Sequence, residues 1–312
     1  MDFFKLIIGF IILILGGNFL VKGSVSLALR YHISMVVVGL TVVSFATSAP
    51  ELIVSIYAAL SGYSDIAIGN VIGSNIANLS LVLGFTACIF PLSFDKRLYS
   101  FDVPVMIFAS VLCGIFLYTQ SMISFVEGTI FVLLLVLLTT YLIHRNRNVI
   151  SSQTKSNTEQ IPIFLLLFYL ILGALSLYFG SHFLIDASVE IARDFGITER
   201  VISVSVISFG TSVPELSTSI IAAYKNENGL SVGNLIGSNI FNIFAVLGVT
   251  SMIQPIACVD LNLLNFDFLW MLGLSLLLFL MMIFGRTSTI GRVKGVFLLA
   301  SYFIFLTIIL IS

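Results

Sequence analysis

Charge is what this 312-residue chain has least of. Asp, Glu, Lys and Arg make up 9% of it, against about 25% in a soluble domain. Cysteine is scarce too. Cys88, Cys113 and Cys258 stand apart in apolar segments; they offer neither a disulfide framework nor metal-ligand spacing and read as small buried hydrophobes. Of the three histidines, His32, His144 and His182, none lies deep in an apolar run. A serine hydrolase inside the membrane would need a base beside its nucleophile, and a zinc protease would need His ligands, so both enzyme classes are excluded. A net charge of −1 gives no footing for nucleic acid.

What fills the chain instead is apolar. Hydrophobic residues reach 59% with a mean hydropathy of +1.14, and runs of about 20 residues, each able to cross a roughly 30 Å hydrocarbon core, recur throughout. Leu, Ile, Val and Phe run continuously rather than alternating, which argues for helices and against a β-barrel. The expectation is an all-α polytopic membrane protein of ten transmembrane helices, near 3–21, 33–61, 66–91, 100–118, 123–143, 161–182, 197–224, 230–254, 266–285 and 293–311. The first is read as an uncleaved span, not a signal peptide. Residues 1–143 and 161–312 form two five-helix halves around a polar linker, 144–160. A cytoplasmic linker puts eleven basic residues inside and three (Lys5, Arg193, Arg200) outside, so the positive-inside rule places both termini outside.

The halves are copies of one another. Thr47-Ser48-Ala49-Pro50-Glu51 returns 164 positions later as Thr211-Ser212-Val213-Pro214-Glu215. Gly69 to Asn78 returns at the same offset as Gly233 to Asn242, with eight of ten positions identical. Gly16 to Leu29 aligns with Gly180 to Arg193 without a gap. Five spans per half is an odd number, so the copies enter the membrane from opposite sides. Such inverted repeats, with broken helices at a midplane site, are a common plan of secondary transporters.

Glu51 and Glu215 are the two acids deep within the predicted spans. Each costs about 2.5–3.5 kcal/mol at bilayer centre, so the pair implies function. Pro50 and Pro214 lack an N–H, which frees the carbonyls of Ala46 and Gly210. Carboxylates, bare carbonyls and the hydroxyls of Thr47, Ser48, Thr211 and Ser212 make an all-oxygen, hard-cation donor set, suited to calcium or sodium. Gly69, Gly73, Gly233 and Gly237 read as close-packing positions. Ser74 and Asn78, like Ser238 and Asn242, are four apart and share a helix face. Asn70, Asn75, Asn234 and Asn239 are expected to hydrogen-bond neighbouring backbone.

These duplicated GTSxPE- and GNxIGSN-type motifs resemble the two alpha repeats of the calcium/cation antiporter superfamily, in its sodium/calcium exchanger branch of prokaryotic type, over nearly the whole chain. The resemblance implies alternating access of one site to each side, with calcium exchanged against sodium. By motif position Glu51, Glu215, Thr47 and Thr211 would be calcium ligands. Ser48, Ser74, Ser212 and Ser238 would serve sodium, with Ser44 and Ser208 through their carbonyls and Asn78 at the middle. Two departures stand out. Phe45-Ala46-Thr47 lacks the glycine the family often has before the Thr, and Asn242 stands where several exchangers carry Asp. Two carboxylates give a formal −2, which one calcium neutralises and three sodium ions would exceed by one charge; the lost Asp weakens the case for potassium co-transport.

The alternatives are calcium/proton exchange by the same fold, since clustered carboxylates can carry protons, and a passive cation channel. The abundant hydroxyls favour sodium. The expected partners are calcium and sodium ions and the lipid bilayer, with no cofactor, no nucleic acid and no obligatory protein partner. Trp270 and Tyr63, Tyr99, Tyr118, Tyr141 and Tyr224 are expected as interfacial anchors. Asp186, Glu190, Asp194 and Glu199 read as a solvated outer edge.

Overall fold

Ser48 and Ser212 are where two helices stop and restart. In the computed structural model, which describes residues 2–145, 161–194, 208–284 and 288–311, Ser48 has φ −88° and ψ 9° and Ser212 φ −86° and ψ 0°. The next helix begins at once, with proline in its first turn. Proline there loses nothing, because the first N–H groups of a helix have no intrahelical acceptor. Pro50 and Pro214 thus start new helices rather than kink continuous ones.

The chain order is α1 (Asp2–Tyr31), α2 (Met35–Thr47), α3 (Ala49–Leu60), α4 (Ser64–Ile89), β1 (Leu92–Ser93), α5 (Leu98–Gln120), β2 (Met122–Ile123), α6 (Phe125–Arg145), α7 (Ile163–Asp194), α8 (Ser208–Thr211), α9 (Val213–Tyr224), α10 (Asn228–Ile253), β3 (Ile256–Ala257), α11 (Leu263–Ile283), β4 (Thr289–Ile290) and α12 (Arg292–Ile311). Among the described residues, eight helices are long and apolar enough to cross a membrane; α2 and α3, bent by 46° at Ser48, make a ninth, broken span. Most of the linker and the start of the predicted seventh span lie outside the described residues, as does Glu199.

Burial sorts the helices into layers. The most hydrophobic windows of α4 and α10 are 78% and 83% buried, while those of α6, α7 and α12 are 22% buried. The central pair carries the GNxIGSN-type block; the outer helices turn Leu, Ile and Phe outward. Glycines set the closest approaches. A Cβ on Gly233 would lie 2.6 Å from Val36 O, and one on Gly237 2.6 Å from Leu40 Cα, so α2 lies directly on the backbone of α10. In the same way Gly16, Gly173 and Gly180 let α1 and α7 pack antiparallel. Their ends are tied by Lys22 Nζ donating to Tyr169 Oη at 3.1 Å and Arg30 to Ile161 O at 3.2 Å.

Two short antiparallel pairs tie the loops: β1 with β4 (Leu92 opposite Ile290) and β2 with β3 (Ile123 opposite Ile256). Buried acids near helix ends have local roles. Glu127 accepts from Ser124 N at 2.6 Å, and Asp102 lies 3.7 Å from Arg97. Trp270 packs against Phe266 and Phe305.

Candidate cation site

The break at Ser48 puts Glu51 in the first turn of α3, and the break at Ser212 puts Glu215 in the first turn of α9. Helix N-termini favour negative charge by about 0.3–1 kcal/mol, up to about 2 kcal/mol where partly buried. Both side chains are completely buried and lie within electrostatic reach of one another. Asn70 Nδ2 donates to Glu51 O at 3.2 Å and to Ser55 Oγ at 3.0 Å, pinning α4 to the start of α3. Its counterpart Asn234 reaches Ser219 Oγ at 3.4 Å.

The predicted residues converge from both halves. Ser48 Oγ donates to Glu215 Oε1 at 3.1 Å, and Ser238 Oγ to the same oxygen at 3.3 Å. Thr47 Oγ1 and Ser238 Oγ are 3.4 Å apart, and the equivalent Thr211 Oγ1 and Ser74 Oγ are also 3.4 Å apart. Thr47 Oγ1 also donates to Asn234 Oδ1 at 3.2 Å. Ser44 Oγ donates to the carbonyls of Gly39 and Asn234 at 2.7 and 3.0 Å, which spends its hydroxyl on α2 and α10. Ser208 opens α8, but its side chain lies outside the described residues. Asn78 and Asn242 are wholly buried, each at the start of a widened π-helical stretch, Ala77–Val82 and Asn242–Leu247. Stretches of this kind recur at functional sites.

The oxygens left over are as informative as those bonded. Glu51 Oε1 and Oε2, Glu215 Oε2, Asn78 Oδ1, Asn242 Oδ1 and Ser212 Oγ are all buried without a hydrogen-bond partner. An unpaired polar atom in an apolar medium costs several kcal/mol, and these six are the oxygens free to coordinate a bound ion. No group of three His, Cys, Asp or Glu occurs among the described residues. The set is two carboxyls plus neutral oxygens, which suits a hard ion and not zinc.

Two features escaped the sequence. Asn75 does meet backbone, its Nδ2 donating to Asn239 O at 3.3 Å, but the Asn239 side chain does not: its Nδ2 faces Met106 Sδ at 3.6 Å instead. Their amide oxygens, however, receive Asn242 and Asn78, a side-chain pairing across the halves that no motif spacing announces. Thr218 Oγ1, one turn beyond Glu215, is likewise buried and unpartnered; a hydroxyl three residues past the acid was its one available signal.

The chain is similar to known proteins over nearly its whole length. The family model described as sodium/calcium exchanger protein matches residues 2–144 and 165–311. CaxA of Alkalimonas amylolytica is 36% identical over 303 residues, covering 95% of this chain and 94% of its own. Sodium/calcium exchanger MaX1 of Methanosarcina acetivorans is 30% identical over 351 residues, covering 99% and 98%. A solved structure of the sodium-calcium exchanger NCX_Mj, soaked with Na+ and Sr2+, superposes with a TM-score of 0.83 at 31% identity, over 97% of this chain and 96% of that one. The chain belongs to the sodium/calcium exchanger protein family, whose members are membrane antiporters and not enzymes.

Proposed function

We propose that the chain is a ten-span secondary antiporter that exchanges calcium for sodium by alternating access at one midplane, all-oxygen site. Glu51 and Glu215 are its central calcium ligands, joined by Thr47 and Thr211. Ser48, Ser74, Ser212 and Ser238 line the flanking sodium positions with the carbonyls of Ser44 and Ser208, and Asn78 and Asn242 stand at the middle.

The observation that carries this reading is the set of buried oxygens without donors, contributed by both halves. A dehydrated hard cation supplies the positive charge they lack, and its loss leaves them unsatisfied, so an empty carrier is costly to expose to the low-dielectric core. That coupling between occupancy and movement is what an exchanger needs in place of a channel.

Inverted halves are supported by the loop ladders. At the offset of 164 β3 is the counterpart of β1, and by order in the repeat β4, three residues further on, is the counterpart of β2. Parallel copies would leave β1 beside β3, yet β1 pairs with β4 and β2 with β3. With the basic-residue count, this favours a cell-membrane protein with both termini outside and the linker cytoplasmic.

The test is 45-calcium uptake into proteoliposomes driven by an outward sodium gradient, with wild type, Glu51→Gln and Glu215→Gln. Sodium-driven uptake that falls to background in both variants is expected. Uptake driven equally by a pH gradient would replace sodium with protons, and uptake needing no counter-ion would replace exchange with a channel. Full activity in both variants would overturn the site.

A further inference from the structure

An asparagine amide can coordinate a cation only with its oxygen end, and a half-turn about χ2 presents the NH2 group instead. Asn78 and Asn242 therefore need something to decide which end faces the ions. We infer that Asn75 and Asn239 are positioning residues that do this, each for the asparagine of the opposite half; the inference rests on the cation-site reading above.

The geometry is reciprocal. Asn242 Nδ2 donates to Asn75 Oδ1 at 3.1 Å, and Asn78 Nδ2 donates to Asn239 Oδ1 at 3.3 Å. The donor end of each amide is thereby consumed, and the Oδ1 atoms of Asn78 and Asn242 are left buried with no donor. Flipping either amide would set its oxygen against the oxygen of its positioning partner, two acceptors face to face. The positioning amides are themselves held: Asn75 Nδ2 donates to Asn239 O at 3.3 Å and Asn239 Nδ2 contacts Met106 Sδ at 3.6 Å. Both are 1% exposed, so water cannot substitute for the missing acceptor. The hydroxyl oxygens of Thr47 and Ser238 keep lone pairs for an ion while their protons are donated elsewhere, and a carboxylate can present either oxygen. Amides alone among these ligands have a wrong way round.

The experiment is a double-mutant cycle on the full-length protein, reading 45-calcium equilibrium binding in detergent and sodium-driven calcium flux in proteoliposomes. Asn75→Ala should raise the half-saturating calcium concentration about tenfold, the scale of one lost charge–dipole contact, with maximal flux within about twofold. In an Asn242→Asp background, where either oxygen serves and no orienting is required, the same change should have less than about a twofold effect. Asn75→Asp keeps the acceptor oxygen for Asn242 but loses the donation to Asn239 O, and it should not raise the half-saturating concentration. It also stands in if Asn75→Ala does not fold, as judged by a monodisperse size-exclusion profile. An equal penalty from Asn75→Ala in both backgrounds, or a loss of affinity in Asn75→Asp, would reduce Asn75 to a packing residue and overturn the inference. Failure of the cation site itself would show separately, as wild-type protein binding calcium no better than Glu51→Gln.

Discussion

Ser48 Oγ donates to Glu215 Oε1 at 3.1 Å, whereas Ser212, its counterpart 164 residues on, has no partner, and neither oxygen of Glu51 accepts a hydrogen bond. Two motifs of nearly one sequence therefore sit in unlike surroundings, one carboxyl held by hydroxyls and the other bare. An alternating carrier must break its internal symmetry in any single state, since a site symmetric about the midplane would open to both sides or to neither.

The asymmetry has a stability consequence. In calcium- and sodium-free detergent solution, Ser48→Ala removes a made hydrogen bond to a buried carboxyl, about 1 kcal/mol or somewhat more. The melting temperature should fall by about 2–4 °C. Ser212→Ala removes a hydroxyl that has no partner, and its melting temperature should stay within about 1 °C of wild type. Equal shifts in the two variants would show that the carboxyls are equivalently held.

Gly237 offers a sharper structural test. A Cβ there would lie 2.3 Å from Ser44 Oγ and 2.6 Å from Leu40 Cα. The serine can rotate away, but the Leu40 backbone can yield only if α2 lifts off α10. Overpacking of this kind costs about 1–3 kcal/mol, and it moves the helix that leads to Thr47. Gly237→Ala should lower the melting temperature by several degrees and reduce sodium-driven flux. Gly273→Ala, on an exposed face with nothing within 4 Å, should do neither. Wild-type behaviour in Gly237→Ala would mean that the contact is slack.

Much of this was legible in the sequence because the membrane punishes ambiguity. Apolar runs located the helices, and the repeat identified Glu51, Glu215 and their hydroxyl neighbours as a set. What was not legible is three-dimensional. Pro50 implied a disturbed helix, but only the backbone at Ser48 shows that one helix ends and another begins there. The pattern put Ser74 and Asn78 on one face of a regular helix, yet a π-helical stretch begins at Ala77, and nothing in the local residues fixes a widened turn. Asn75 looked like backbone glue because the sequence cannot pair it with Asn242 across the halves.

The loop ladders and the charge count make a joint prediction about sides. In a background with Cys88, Cys113 and Cys258 replaced, Lys96→Cys lies near β1, which the proposed orientation puts on the cytoplasmic side. Asp260→Cys lies just after β3, which it puts on the outer side. A membrane-impermeant maleimide added to intact cells should label the second and not the first, with both labelled after permeabilisation. Labelling of Lys96→Cys in intact cells would reverse the orientation; labelling of both would mean that the paired loops do not mark opposite faces.

Glu227, in the loop between α9 and α10, gives a prediction in pH. Burial raises its carboxyl above the ordinary value of 4.5, so the folded protein holds this proton more tightly than the unfolded chain does. The sign follows: ionisation opposes folding, stability is lost as pH rises through the raised value, and it is recovered below the ordinary carboxylate range. Glu227→Gln keeps the shape without the charge. Its backbone N–H to Ala222 O, at 2.8 Å, is untouched. The variant should melt above wild type at pH 8, and the gap should close as the pH falls toward 4. A gap of constant size across that range would attribute the effect to packing, not to the buried charge.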